Sequence, residues 1–229
     1  MKIGNNQLFN PDTLNIFTDA STTEIDKTQG LYRTSAGAVC VMTSPEGETR
    51  IINEVCTVIE NSTNNFGELF GVYSGVLKAL EYRYQFNRIN IISDSQFAVY
   101  GLTRWIWNWR NNIQDDMYMN SSGKEVVNQD LFKRIINLIL YNGLYINIYH
   151  QKGHCLNHPG RSKRTFFTSN GIELNLVESR LIGKYNDYVD RYSRKQLQIK
   201  GADIVFPLYY YGDFNKGSYR KLVNNRNIF

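Results

Sequence analysis

Two apolar runs, LNIFTDAS at 14–21 and RINIISD at 88–94, each close on an aspartate, and the segment between them changes its hydrophobic period. Short apolar runs bounded by polar residues read as buried strands. After the first come SAGAVCVMT and TRIINEVCTVI, joined by SPEGE, whose Pro and Gly supply turn chemistry and predict an antiparallel hairpin. From Phe66 to Tyr84 the period becomes helical. Leu69, Val72, Tyr73, Val76, Leu77 and Leu80 share one face, which predicts an amphipathic helix packed on the sheet.

Downstream of the second run, SQFAVYGL and RWIWNWR read as short helices, and VVNQDLFKRIINLIL as a longer one. YINIYH at 145–150 alternates as a strand. A Gly/Ser/basic region then extends from His154 to about Gly183, before a polar helix from Lys184 to about Ile199. This order predicts an α/β fold, a five-stranded mixed sheet flanked by helices. With 229 residues the chain has room for one sizeable core and hardly for two large domains.

A net charge of +5 and a pI near 9.0 lean mildly towards a polyanionic partner. No run of about 18 apolar residues occurs, so no membrane-spanning helix is expected. The N-terminus, MKIGNNQLFNPDT, is too polar for the core of a signal peptide, which predicts a cytoplasmic protein. Cys40, Cys56 and Cys155 are odd in number and lack CxxC spacing, so reduced thiols are expected.

The chemistry sits at element ends. Asp19 and Asp94 close their strands, and Glu68 lies near the start of the long helix. If the strands are parallel neighbours, their C-terminal ends open onto one crevice, where α/β sheets usually bind ligands. Three carboxylates there repel one another unless a hard divalent cation such as Mg²⁺ or Mn²⁺ neutralises them. Taken singly, a strand-ending aspartate is more often a turn former or a helix cap, so the reading needs all three together.

FTDAS, TNNFGEL, SDSQFAVYGL, GKEVVNQDLF after a tryptophan-rich segment, and QKGH followed by NDYVD occur in that order between 14 and 197. In this the chain resembles the bacterial (type 1) ribonuclease H family. The resemblance implies a ribonuclease H-like fold at 14–200, preceded by an N-terminal extension at 1–13 and followed by a C-terminal extension at 201–229. It implies an endonuclease that cuts the RNA strand of an RNA–DNA hybrid with two Mg²⁺ or Mn²⁺ ions, leaving 5′-phosphate and 3′-hydroxyl ends. Asp19, Glu68, Asp94 and Asp190 match the metal-binding carboxylates, and His154 matches a mobile histidine that moves protons or helps release product. Asn64, Asn65 and Gln96 match contacts to the minor groove, with Asn128 a further candidate. Trp105 and Trp109 match contacts to the DNA strand, and Asn186, four residues before Asp190, supports that ligand or touches substrate. A monomer is expected, in the host cytoplasm if the source is viral.

Two departures stand out. The segment NNIQDD is neutral to acidic where the family places lysines. His154 and Asp190 are 190 − 154 = 36 residues apart, a longer gap than the family's, which predicts an insertion at about 159–183. Within it, RSKRTFF sets Arg161, Lys163 and Arg164 beside Phe166 and Phe167. That pattern suits a nucleic-acid strand through phosphate contact and base stacking, or else a lid that packs its phenylalanines on the body. His150, His154 and His158 with Cys155 also invite a weaker zinc reading. Two rival functions are a related nuclease redirected to another nucleic acid and a hybrid-binding module without turnover.

Overall fold

The computed structural model describes residues 8–28 and 31–198. The C-terminal extension at 201–229 and most of the N-terminal extension lie outside the described residues.

Three strands open the fold: β1 (Thr13–Asp26), β2 (Leu31–Thr43) and β3 (Thr49–Glu60). Helix α1 (Asn64–Tyr82) and strand β4 (Arg88–Ser93) follow, then α2 (Gln96–Tyr100), a π-helical turn at Gly101–Trp105 and α3 (Ile106–Arg110). A small hairpin, β5 (Ile113–Gln114) and β6 (Met117–Tyr118), leads into α4 (Gln129–Tyr141) and β7 (Ile146–His150). Two helices close the described chain, α5 (Pro159–Asn170) and α6 (Leu176–Gln196).

The main sheet has five strands in the order β3-β2-β1-β4-β7. The β1–β2 and β2–β3 pairs are antiparallel, whereas β1–β4 and β4–β7 are parallel, so the sheet is mixed as expected. Strand side chains alternate between faces. Ile16 lies between Cys40 and Ile91 in register and joins a cluster that includes Leu69, Val76, Phe132 and Ile135. Its neighbour Phe17 lies between Val39 and Ile92 and joins a second cluster with Phe166, Ile182, Tyr185 and Val189. One face is thus covered by α1 and α4, the other by α5 and α6.

Helix α1 approaches the sheet closely because Gly67, Gly71 and Gly75 recur every fourth residue on the packed side. A Cβ on Gly67 would meet Thr34 Cγ2 at 2.1 Å, and one on Gly71 would come within 3.3 Å of Gly37 O and 3.4 Å of Asp19 O. This close approach brings Glu68 to β1.

The structure departs from the sequence reading in four places. β1 does not end after Asp19 but runs on to Asp26, paired with β2 throughout. α4 starts at Gln129, later than expected, because Asn128 adopts the left-handed conformation (φ 60°) as its N-cap. The Gly/Ser/basic region, in which the sequence predicts no helix or strand, contains α5, which buries only Ser162 and Phe166 and so carries little apolar periodicity. α6 begins at Leu176, eight residues before the expected start at Lys184. Its signal was in the sequence as Asn175 and Glu178, which form a reciprocal capping box.

Candidate active site

β1 and β4 stay in register as far as Thr18 opposite Ser93. Beyond that pair β4 ends and the chain turns into α2, with Ser95 as N-cap, while β1 continues along β2. Asp19 and Asp94 are the next residue on each path. Glu68 reaches the same point from the first turns of α1, whose N-cap Thr63 accepts a hydrogen bond from Phe66 N–H at 3.2 Å. The three side chains each present an oxygen such that all lie within 4.8 Å of one another.

Burial sets the electrostatics. Asp19 is 6% exposed and Glu68 7%. Desolvation, then the charge of Asp94, pushes Asp19 up from 3.8 to about 8, although Ala20 N–H donates to its Oδ1 at 2.7 Å. Desolvation followed by the charge of Asp19 raises Glu68 well above the usual carboxylate range. Asp94 is also raised by desolvation, against a hydrogen bond from Asn186 that holds it down. Glu68 Oε2 is buried without a hydrogen-bond partner among the described residues. Such a group is at odds with three negative charges in low dielectric and suited to a cation.

Asp190 lies outside this trio. Both its oxygens accept from Arg194 Nη2, at 2.8 and 3.0 Å, one turn along α6. Its charge is near enough to raise Asp19 and Asp94. Asn186 is buried on the same helix and reaches Asp94. His154 is exposed, in the left-handed region (φ 55°), and its charge acts on Asp94.

Asn64 and Asn65 are exposed in the first turn of α1. Thr63 caps the helix, so neither asparagine is the cap. Asn64 also accepts from Thr22 Oγ1 at 3.1 Å and donates weakly to Glu68 at 3.5 Å. Gln96 is exposed at the start of α2, and Asn128 is half-buried ahead of α4. Trp105 and Trp109 have ring centroids 6.0 Å apart, but Trp109 is 8% exposed and part of the core, whereas Trp105 is 38% exposed. The pair therefore divides into an anchor and a surface residue.

The zinc reading does not hold for His150. It is buried, with Nε2 3.2 Å from Asp94 O and Nδ1 3.2 Å from Ser169 Oγ, so both ring nitrogens are engaged. Burial pushes this imidazole below its usual value. Its contact with the Asp94 backbone was not anticipated, and neither was the role of Gly153. A Cβ on Gly153 would lie 2.3 Å from Asp94 Oδ2, so the loop after β7 lies against that carboxylate. The only sequence signal was the glycine in QKGH.

The expected reduced cysteines are free, and burial pushes the Cys40 and Cys56 thiols up to about 12, away from reactivity. Among the described residues no helix is long and apolar enough to cross a membrane.

Comparison with known proteins agrees with this geometry. Residues 11–165 match the family described as RNase H, over more than half of the chain. A ribonuclease H of Syntrophotalea carbinolica is 33% identical over 88 residues, covering 38% of this chain and 53% of that protein. A ribonuclease HI of Haemophilus influenzae is 41% identical over 71 residues, covering 31% of this chain and 41% of that protein. The matches thus span about half the length of these relatives. Among solved structures, the protease–reverse transcriptase of prototype foamy virus superposes with a TM-score of 0.56 at 18% identity, covering 84% of this chain and 22% of the other. The solution structure of the PFV RNase H domain gives 0.51 at 19% identity, covering 68% of this chain and 92% of the other. The structural likenesses speak for the fold, and the matched sequence carries Asp19, Glu68 and Asp94 within it: the chain belongs to the RNase H family.

Proposed function

We propose that this protein is an endonuclease that hydrolyses the RNA strand of RNA–DNA hybrids, using divalent cations held by Asp19, Glu68 and Asp94, with Asp190 completing the ligand set. The observation that carries the reading is three desolvated carboxylates, from three elements, converging within 4.8 Å. All the donors are hard oxygens, and the unpartnered Oε2 of Glu68 is a ready ligand atom. When bound, a pair of Mg²⁺ or Mn²⁺ ions supplies Lewis acidity to the phosphoryl group and a nucleophilic water at neutral pH.

The chain's own residues do the rest. Ala20 N–H fixes the orientation of Asp19, and the hydrogen bond from Asn186 to Asp94 favours its ionised form against the desolvation that raises it. Asp190, itself largely covered, shares its carboxylate with the exposed guanidinium of Arg194, which can turn into solvent and yield the carboxylate to a cation. His154, exposed in the loop after β7, moves a proton at a ring nitrogen to or from the leaving oxygen. The exposed amides of Asn64, Asn65 and Gln96, with Asn128 beyond them, can both donate to and accept from 2′-hydroxyls and base edges, which distinguishes RNA from DNA. Trp105 offers a face to the DNA strand while Trp109 anchors it.

The test is digestion of an end-labelled hybrid, beside matched RNA and DNA duplexes, in Mg²⁺, Mn²⁺ and EDTA. Cleavage confined to the RNA of the hybrid and abolished by EDTA is expected. Asp94→Asn should lower kcat at least a hundredfold while hybrid binding stays within a few-fold. Cleavage of another duplex in preference would favour a redirected nuclease, and hybrid binding without cleavage would favour a binding module.

A further inference from the structure

Helix α5 does more than cover the sheet. Between it and the site lies a cleft of about 500 Å³, lined by Asp94, Gln96, Lys152, Arg164, Thr165 and Thr168 among others. An adjoining cleft of about 430 Å³ shares Thr168 and Ser169 with it and continues past Tyr100, Thr103 and Arg104. Together they form a groove that leads away from the carboxylates between α5 and the α2 segment.

The wall of this groove is fixed. Asn170 Nδ2 donates to His150 O at 2.8 Å, and its Oδ1 accepts from His150 N–H at 3.1 Å, which ties the end of α5 to the edge strand β7. Arg104 donates to Ser169 O at 3.0 Å from the opposite side. With Phe166 turned into the core, Arg164, Thr165 and Thr168 are left on the groove side of the helix. Apart from Asp94, every charged side chain in the two linings is basic: Lys152, Arg164 and Arg104.

The hydroxyls add chemical selectivity. Thr165 and Thr168 donate their hydrogens to Arg161 O at 2.7 Å and Arg164 O at 2.8 Å, so towards a ligand their oxygens act as acceptors. An acceptor row beside cationic groups fits a strand that carries both phosphates and 2′-hydroxyl donors.

The geometry points to an added subsite in which Lys152 and Arg164 hold backbone phosphates of the RNA strand next to the cut, with Thr165 and Thr168 receiving its 2′-hydroxyls. This rests on the hybrid reading above and names a second contact surface for the same substrate. The double variant Lys152→Ala/Arg164→Ala is the test, with an unchanged thermal melt as evidence that it folds. On a hybrid at about 0.15 M salt, KM should rise about tenfold, far more than kcat falls. Each phosphate contact contributes about 0.9 to the slope of log affinity against log salt, so the slope should shrink by about 2. Lys152→Arg/Arg164→Lys, which keeps both charges, should restore most of the KM. A KM and salt slope within twofold of the parent's would overturn the subsite. Should the parent cleave no hybrid, the nuclease reading fails first, and fluorescence anisotropy with labelled hybrid then decides the groove by the same slope comparison, absence of binding counting against it.

Discussion

Asp19 is the residue at which function works against stability. Its carboxyl is held neutral by burial and by Asp94 up to about pH 8, whereas in the unfolded chain it ionises near 3.8. The folded state therefore binds this proton more tightly than the unfolded state, and linkage lowers metal-free stability as pH rises through that interval. Asp19→Asn removes the titration but keeps an oxygen for Ala20 N–H. In EDTA its melting temperature should exceed the parent's at pH 8, with the gap closing towards pH 4. A gap that widens on acidification would mean that the carboxylate is stabilised by its surroundings, contrary to the desolvated site described above. Asp19, Glu68 and Asp94 could be read from sequence because each is an acidic residue at or near the end of a patterned element. His150 and Gly153 could not. One acts on a backbone carbonyl and the other through the lack of a side chain, and the lone trace of either is the glycine in QKGH.

At the scale of elements, the three parallel strands are keyed by a polar ladder that is buried at Asn15 and Asn90 and reaches the surface at Asn147. Asn15, Asn90 and Asn147 are directly opposite one another on β1, β4 and β7. Asn147 Nδ2 donates to Asn90 Oδ1 at 3.0 Å, Asn90 Nδ2 to Asn15 Oδ1 at 2.9 Å, and Asn15 Nδ2 to Leu8 O at 2.9 Å. Since Asp19 and Asp94 sit four residues beyond Asn15 and Asn90 on adjacent strands, the same register sets their separation. Asn90→Ala strands one buried acceptor, Asn15 Oδ1, at roughly 1–3 kcal/mol, whereas the donor it releases belongs to exposed Asn147 and can turn to water. A loss of about 1–3 kcal/mol is expected in denaturant melts with the slope unchanged. A loss under about 0.5 kcal/mol, the range of ordinary surface changes, would show that the ladder does not key the strands. Strands and long helices were legible because burial imposes a period on them. The continuation of β1 beyond Asp19 was hidden, since its last residues, TTEID, are mostly exposed and polar, and the pairing that keeps them extended comes from β2.

The whole molecule is a sheet that needs cover on both faces, and α5 provides part of the second cover. Phe166 is fully buried, 5.4 Å from the ring of Tyr149, in the cluster that also holds Ile182, Tyr185 and Val189 of α6. Of the two sequence expectations for RSKRTFF, packing on the body is what Phe166 does, and base stacking is open only to Phe167, which is 52% exposed. α5 and α6 therefore share one core, and α6 carries Asn186 and Asp190. Phe166→Ala should cost about 3–5 kcal/mol through lost burial and the cavity left behind. Phe167→Ala should change stability by less than about 0.5 kcal/mol. Because the cavity would open beneath α6, Phe166→Ala should also lower nuclease activity more steeply on warming than Phe167→Ala, well below global unfolding. Equal melting temperatures for the two variants would mean that α5 is an appendage, and the groove it walls beside Asp94 would then lack a fixed side.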